Sequence, residues 1–389
     1  MAPIKATSLL FFALLWFGGA GLVHAVQDCE MNGQGINPSN GNTTAGKTGL
    51  MRCKDRDSGV LQREQQIQNG VFMGLVRHYQ DGKLVREHNV NAKGNIDGAA
   101  REFAPTGKLL RESVYVDGSE TGLIRAFYPG GNRRRIAFNG EGSRESASVE
   151  FTEAGQPSAL RCGDKPMLAP AFDDAKACGF GAAASQVELF DSAGRVRQRV
   201  SYTAGKRTRW ESLYDNGQVE SSGEITGTQS VGRRFSSTGV KRSEVYGIVN
   251  DRRTVRQREL DYSERGTLVR EQRWSPDGMP TNDDSFYLNG QPRSKTAYSG
   301  SGAQRIVEVS EFHDNGQRAR QGRYRAGLRG GTTTSLGTHQ SFDEKGRLVA
   351  ETAYDDKGRI ARERAFDENG QLLRDDEVFE DGSRKAFAR

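Results

Sequence analysis

The chain has 389 residues, of which 34% are hydrophobic and 48 are glycine, and its mean hydropathy is −0.72. Such a composition excludes a single thick hydrophobic core and favours a thin layer that is solvated on much of both faces. The 56 basic and 50 acidic residues nearly balance. Since a nucleic-acid interface needs clustered basic charge and the only basic run is 133–135, we expect no nucleic-acid partner.

Residues 1–25 have the pattern of a secretory signal peptide. Lys5 supplies a short positive region, an apolar stretch follows over 9–17, and Val23-His-Ala25 is a cleavage site of the small-x-small type. The apolar stretch is too short for a good membrane span. The pattern predicts export, with cleavage after Ala25 and no lipid anchor.

The next segment, 26–60, is rich in Gly, Asn and Thr and shows no strand pattern until about Leu61. It therefore predicts an irregular N-terminal cap. A cap at this place would cover the edge of the first hairpin, which would otherwise invite the addition of a further strand.

Four cysteines follow the leader, at Cys29, Cys53, Cys162 and Cys178. An even number in an exported chain predicts disulfides, and four cysteines allow three connectivities. We favour Cys29–Cys53 and Cys162–Cys178 because each pair brackets an irregular segment. A zinc site is the alternative, but neither Cys-x-x-Cys nor a suitable His spacing supports it.

A repeat of 24 residues dominates the segment 61–155. Residues 74–79 (GLVRHY) recur as 98–103 (GAAREF) and as 122–127 (GLIRAF), and Phe103, Phe127 and Phe151 are 24 apart. A half-period of 12 is clearest near the end of the chain. A fixed period of this size predicts an array of small supersecondary units.

Each unit has the pattern of a β-hairpin. Short runs alternate apolar and charged residues, and turn pairs such as Asp81-Gly82 and Asn216-Gly217 supply the positive φ that tight turns need. We therefore predict an all-β protein, an elongated and twisted antiparallel sheet of stacked hairpins. An ordinary β-sandwich is less favoured because it does not require one glycine-aromatic spacing repeated so often.

The array is interrupted at 156–185 and resumes over 186–389. The glycine that follows Gly155 in the pattern is Gly194, a step of 39 instead of 24, so about 15 residues are inserted. A loop pinned by Cys162–Cys178 could be a recognition element. It could equally be only a cap between two sub-arrays, and both possibilities stay open.

Motifs for catalysis or cofactor binding are absent from the sequence. There is no Gly-x-Ser-x-Gly and no phosphate-binding Gly-x-x-x-x-Gly-Lys-Ser/Thr. The histidines that follow the leader are interpreted as surface residues on repeat strands, without metal-ligand spacing: His78, His88, His313 and His339. The sequence therefore predicts no metal and no cofactor.

Carboxylates recur at one position of the unit, as at Glu87, Glu112 and Glu271. Spacing alone does not rule out a pair of distant acids in a glycosidase. The recurrence is better explained by a structural ladder of cross-strand ion pairs. We therefore expect a protein that is not an enzyme.

The pattern Gly-x-x-Arg-x-[Tyr/Phe]-x(2,3)-Gly-x-Leu-x-x-Glu resembles MORN repeats, in the bacterial variant of antitoxin type. The resemblance covers about 65–155 and 186–389, although Ser146 replaces an expected glycine. It implies an elongated antiparallel sheet of stacked hairpins, a binding or scaffolding role, and no catalytic residues to transfer.

For an exported bacterial chain the resemblance also implies a location and a partner. Periplasmic repeat proteins of this kind are immunity partners of toxic effectors, including phospholipases delivered by type VI secretion. The favoured expectation is a periplasmic protein that covers the active site of a toxic enzyme. The alternatives are an envelope scaffold or cell-surface module, and a binder of phospholipid headgroups. Balanced charge argues against the last, so membrane binding is not expected.

Overall fold

Strands make up nearly all the regular structure of this protein, as the all-β prediction required. The computed structural model describes residues 27–181, 183–250, 253–327 and 333–387. The predicted leader, 1–25, lies outside the described residues. The chain divides into two compact units, 1–145 and 146–389, and each is described by itself.

Unit 1 is an antiparallel meander in which almost every strand pairs with its neighbours in the chain. The order of hydrogen-bonded strands is β10-β9-β8-β7-β6-β5-β4-β3-β1-β2. The strands are β1 Gln27–Met31, β2 Gln34–Ile36, β3 Gly49–Asp55, β4 Leu61–Gln68, β5 Val71–Gln80, β6 Lys83–Val90, β7 Ile96–Phe103, β8 Leu109–Val116, β9 Ser119–Phe127 and β10 Arg133–Asn139.

Unit 2 contains the hairpin of β11 and β12, one short helix α1, and a sheet of 17 strands in which β13 to β29 follow one another in chain order. Its elements are β11 Glu145–Phe151, β12 Pro157–Arg161, α1 Asp174–Ala177, β13 Val187–Phe190, β14 Val196–Thr203, β15 Lys206–Leu213, β16 Val219–Thr226, β17 Gln229–Phe235, β18 Lys241–Val249, β19 Thr254–Tyr262, β20 Leu268–Trp274, β21 Pro280–Phe286, β22 Pro292–Ser299, β23 Ile306–Phe312, β24 Arg318–Ala326, β25 Thr333–Phe342, β26 Leu348–Tyr354, β27 Ile360–Phe366, β28 Leu372–Val378 and β29 Arg384–Ala386. Among the described residues no helix is long and apolar enough to span a membrane.

The hairpin turns are of two kinds, and only one uses positive φ at two residues. Asp81 and Gly82 have φ of 51° and 74°, which is the two-residue turn that the sequence predicted. At Asn216-Gly217 the glycine alone has positive φ, 80°. The Gly217 N–H donates to Tyr214 O at 2.9 Å, and the ladder shifts register beside the turn.

The asparagine of the second turn kind has a different role from the one predicted. Asn216 Nδ2 donates to Ser237 O, in the turn between β17 and β18, at 2.8 Å. Asn289 and Asn315 donate in the same way to Asp314 O and Glu344 O. These side chains tie successive turns together, so the Asn-Gly pairs stabilise the stacking of hairpins as well as the hairpins themselves.

A ladder of ion pairs crosses one face of unit 1, which confirms the predicted role of Glu87 and Glu112. Six pairs with N–O distances of 3.1–3.5 Å join seven side chains on β3 to β9, in the order Arg52, Glu64, Arg77, Glu87, Arg101, Glu112 and Arg125. In unit 2 Glu271 likewise pairs with Arg258 and Arg273. Glu64 is only 8% exposed and also accepts from the Tyr79 hydroxyl at 2.7 Å.

The opposite face of unit 1 carries the thin core. One residue from each of β3 to β8 lies in a buried cross-strand row, in the order Met51, Gln65, Val76, His88, Ala100 and Ser113. Neighbours along a strand point to opposite faces, so Glu87 lies on the ladder and His88 lies in the core. A core this thin needs few apolar residues, which fits the low hydrophobic content of the chain.

The interpretation of the histidines as surface residues is wrong for His88. Its side chain occupies the buried row and is 8% exposed, and its ring stacks on His78 with centroids 5.6 Å apart. Burial, together with the nearby Arg86, His78 and Arg63, lowers the pKa of His88 from 6.5 to about 4. His88 is therefore neutral in the folded protein at neutral pH.

The N-terminal segment 26–60 contains three strands, β1 to β3, where the sequence predicted an irregular cap. Cys29 and Cys53 are direct cross-strand partners and form a disulfide with a Cα–Cα distance of 4.0 Å. Met31, Met51 and Ile67 pack with them in a small core. The strands escaped prediction because their inward residues are two cysteines, two methionines and a single isoleucine, set between polar turns.

Replacing Glu64 should test the ladder. Gln at position 64 keeps the shape but removes the charge that Arg52 and Arg77 share, so we expect Glu64→Gln to lower the free energy of unfolding by about 1–2 kcal/mol. Glu102→Gln is the matched control, because Glu102 on β7 is half-buried and forms no ion pair within the described chain. Urea unfolding at pH 7 measures both, and equal losses would contradict the structural role of the ladder.

Acid should destabilise this protein through His88. Between pH 6.5 and 4 the unfolded chain binds more protons than the folded chain, so the free energy of unfolding falls as the pH is lowered through this window. The shift corresponds to a loss of up to about 3 kcal/mol. His88→Leu should flatten this dependence, measured as melting temperature at pH 7 and pH 4.5. An unchanged slope in the variant would show that other groups control acid stability.

Candidate functional site

The insertion after β12 is built around its disulfide and one buried carboxylate. Cys162 and Cys178 are bonded, as favoured from the sequence, with a Cα–Cα distance of 5.7 Å. Closing a loop of this length removes roughly 3 kcal/mol of entropy from the unfolded chain. Asp174, which is 1% exposed, accepts hydrogen bonds from Met167 N at 2.6 Å and Leu168 N at 2.9 Å. The loop is therefore fixed internally.

The insertion docks against the tight turn between β14 and β15. Ala204 N donates to Gly179 O at 2.7 Å, and Gly205 N donates to Cys178 O at 2.9 Å. A Cβ at Gly205 would overlap Gly163 O, and a Cβ at Gly179 would overlap Tyr202 O. Glycine is required at both positions because the two backbones approach so closely.

A small core lies below the docked insertion. Leu189, Val200 and Tyr202 are buried together, with Leu160 and Trp210 among the side chains packed against them. The Tyr202 hydroxyl donates to Leu160 O at 3.2 Å, which joins β12 to β14. The insertion is thus held by apolar packing as well as by its disulfide.

A groove of about 1540 Å³ opens between the insertion and the edge strand β13. Its apolar lining includes Pro166, Phe172, Phe180, Val187 and Phe190. The charged residues around it have both signs: Asp164, Lys165, Asp173, Lys176 and Glu188. A concave surface that combines apolar side chains with charged groups of both signs is suited to contact with another protein.

The sequence marked only part of this site. It identified the interruption at 156–185 as a candidate recognition element, but the groove also needs 186–190, which the sequence assigned to the second array. In the sequence, the apolar residues of a strand show the same pattern whether they pack in a core or line a groove. The inserted length and the cysteine pair were the available signals.

The histidine, cysteine and acidic side chains form no cluster of metal-ligand type in the part of the chain that the structure describes. Within 27–181, 183–250, 253–327 and 333–387 no group of three His, Cys, Asp or Glu side chains could hold a metal ion. The two histidines of unit 2 lie in later repeats, His313 just after β23 and His339 in β25. His313 Nε2 is 3.0 Å from Phe342 O. His339 lies between Tyr324 and Tyr354, with ring centroids 4.7 and 4.6 Å away.

A methyl group at Gly205 should undock the insertion. Gly205 has φ of 76° and no room for a Cβ, so we expect Gly205→Ala to cost about 2–4 kcal/mol of unfolding free energy. Gly227 has φ of 59° and open space around it, so Gly227→Ala should cost only about 1 kcal/mol. Urea unfolding measures the difference. Similar costs for both variants would mean that the close backbone contact at Gly205 contributes nothing to the loss of unfolding free energy.

Comparison with known proteins finds one family model that matches a short segment of the chain. Residues 96–117, which include β7 and β8, match the MORN repeat variant. No curated protein matches the chain.

The solved structures that match have low overall similarity. A TarM mutant of S. aureus, in complex with fondaparinux, alpha-GlcNAc-glycerol and UDP, is 12% identical with a TM-score of 0.19, covering 30% of this chain and 21% of its own. A Tc holotoxin pore of Photorhabdus luminescens is 12% identical with a TM-score of 0.15, covering 87% and 19%. This chain thus spans about a fifth of the length of either protein. What the comparisons identify is a MORN repeat variant at residues 96–117, within an all-β array of hairpins.

Proposed function

We propose that this chain is an exported, non-enzymatic binding protein that neutralises a toxic effector enzyme by covering the enzyme's active site. The groove beside the insertion carries the proposal. It combines a large apolar surface with charged residues of both signs, and it lies where the repeat array is interrupted. A protein surface is the partner class that such a lining fits best.

The rigidity of the groove supports the proposal. The Cys162–Cys178 disulfide, the buried Asp174 and the glycine contacts at the β14–β15 turn hold the insertion before any partner arrives. A surface that is already ordered loses little conformational entropy on binding. An inhibitor that must cover an enzyme tightly benefits directly from this property.

The proposed compartment is the periplasm. Two disulfides and no free cysteine among the described residues are compatible with an oxidising compartment. The resemblance to antitoxin-type MORN repeats adds the partner class, a toxic enzyme such as a phospholipase delivered by type VI secretion. Immunity proteins of this kind are encoded beside their effectors, so the neighbouring genes give the first candidates.

Co-expression tests the proposal directly. The enzyme encoded beside this chain is exported to the periplasm of a bacterial host, with and without this chain, and growth is measured. We expect the chain to restore growth and to co-purify with the enzyme. A neighbouring enzyme that stays equally toxic with the chain present, or the absence of any toxic neighbour, would contradict the proposal.

Substitution in the groove should separate binding from folding. Ala184 lines the groove and is exposed, so Ala184→Arg should block a partner with little effect on stability. Because it places a long charged side chain on the lining of the groove, we expect affinity to fall at least tenfold and protection to be lost. Ala193→Arg is the matched control, an exposed alanine in the β13–β14 turn that does not line the groove. Full protection by Ala184→Arg would place the binding surface elsewhere.

A further inference from the structure

A second row of charged side chains crosses unit 1 on the face opposite the ion-pair ladder. Cross-strand neighbours on β4 to β8 follow in the order Arg63, His78, Arg86, Glu102 and Arg111. In the ladder on the other face, a glutamate stands between each two arginines. In this row His78 occupies the place of the acid between Arg63 and Arg86.

The two arginines beside His78 consequently have no acidic partner in the described part of the chain. Arg63 donates to the Gln65 side chain. Arg86 faces Glu102 across β6 and β7, yet the two form no ion pair there. Arg63 Nε, Arg86 Nε and His88 Nδ1 are buried atoms that find no hydrogen-bond partner among the described residues. The next arginine of the row, Arg111, pairs with Glu120 at 2.7 Å.

This arrangement leaves two half-buried guanidinium groups, those of Arg63 and Arg86, without an ion-pair partner among the described residues. Burial lowers the pKa of Arg63, and burial together with Arg63 and Arg86 lowers the pKa of His78. Partly desolvated cations without a counter-charge are costly, and an anion placed between them relieves that cost. In the ladder, the position between two arginines holds a glutamate. The corresponding position in this row, beside His78, therefore favours the binding of an acidic group.

We propose that a carboxylate side chain of the partner protein occupies this position, bound by Arg63 and Arg86 with His78 as a third donor. The inference rests on the proposed function, because it names a chemical feature of that partner. Guanidinium groups bind carboxylates with two parallel hydrogen bonds, and the two arginines lie on strands β4 and β6, about 10 Å apart across the sheet. An extended polyanion fits poorly because the next position of the row is Glu102, which repels it.

The decisive variant supplies the acid from within the chain. His78→Glu restores the alternation of the row, so it should raise the melting temperature at pH 7 by a few degrees and fill the position. Sodium acetate, compared with sodium chloride at equal ionic strength, serves as the probe. Acetate should raise the melting temperature of the wild type. It should also raise the pKa of His78, measured by NMR. The melting temperature of His78→Glu should not change with acetate. Arg86→Gln, which lacks one of the two cations, should also lose the acetate response.

Gln68→Glu is the matched control, since it adds the same charge at an exposed position near the end of β4. It should keep the acetate response and the affinity for the enzyme that the chain neutralises, whereas His78→Glu should weaken that affinity more than tenfold. An acetate response that is absent from the wild type or kept by His78→Glu would overturn the inference, as would equal affinity of wild type and His78→Glu for the enzyme. Failure of the wild type to bind any enzyme would instead overturn the proposed function, while the acetate response is measured independently of any partner.

Discussion

Backbone pairing between successive hairpins is the constraint on which the rest of the structure depends. One hairpin cannot bury its own face or satisfy its outer edge, so each needs the next. A meander provides this with contacts that are local in sequence. A sheet with so thin a core then has little buried apolar surface to stabilise it. The side-chain ladders, the stacked turns and the disulfides supply additional stabilisation.

The two faces of unit 1 show how this works at the level of side chains. On one face Glu64, Glu87 and Glu112 each lie between two arginines, so each of these carboxylates has a partner on both sides. On the other face His88 and its small neighbours form the core. Because successive side chains of a strand point to opposite faces of the sheet, the same strands carry both rows, one on each face. One break in the pattern, His78 between two arginines, therefore stands out as a position where an external acid fits.

The insertion uses the array as a rigid base. Its anchor is the tight turn at Gly205, a turn of the same kind that closes ordinary hairpins in this chain. Binding sites are often loops held by a scaffold, and here the scaffold is extended by a loop with its own disulfide. The apolar groove exists because β13 is the edge of its sheet, so its outer side is left to the insertion. Interrupting a repeat thus creates a surface that the repeat by itself does not have.

The sequence by itself determined the repeat unit, the hairpins, the ion-pair ladder and the segment of the insertion, because periodicity, turn glycines and strand alternation act over a few residues. It did not reveal the strands between Gln27 and Asp55, whose inward residues are mostly cysteine and methionine, nor the burial of His88. Those depend on which strand lies beside which and in what register. Only the tertiary structure revealed the groove and the arginines that lack an ion-pair partner. Both depend on which elements lie side by side: the groove on the insertion beside the edge strand β13, and the arginines on the register of β4, β5 and β6.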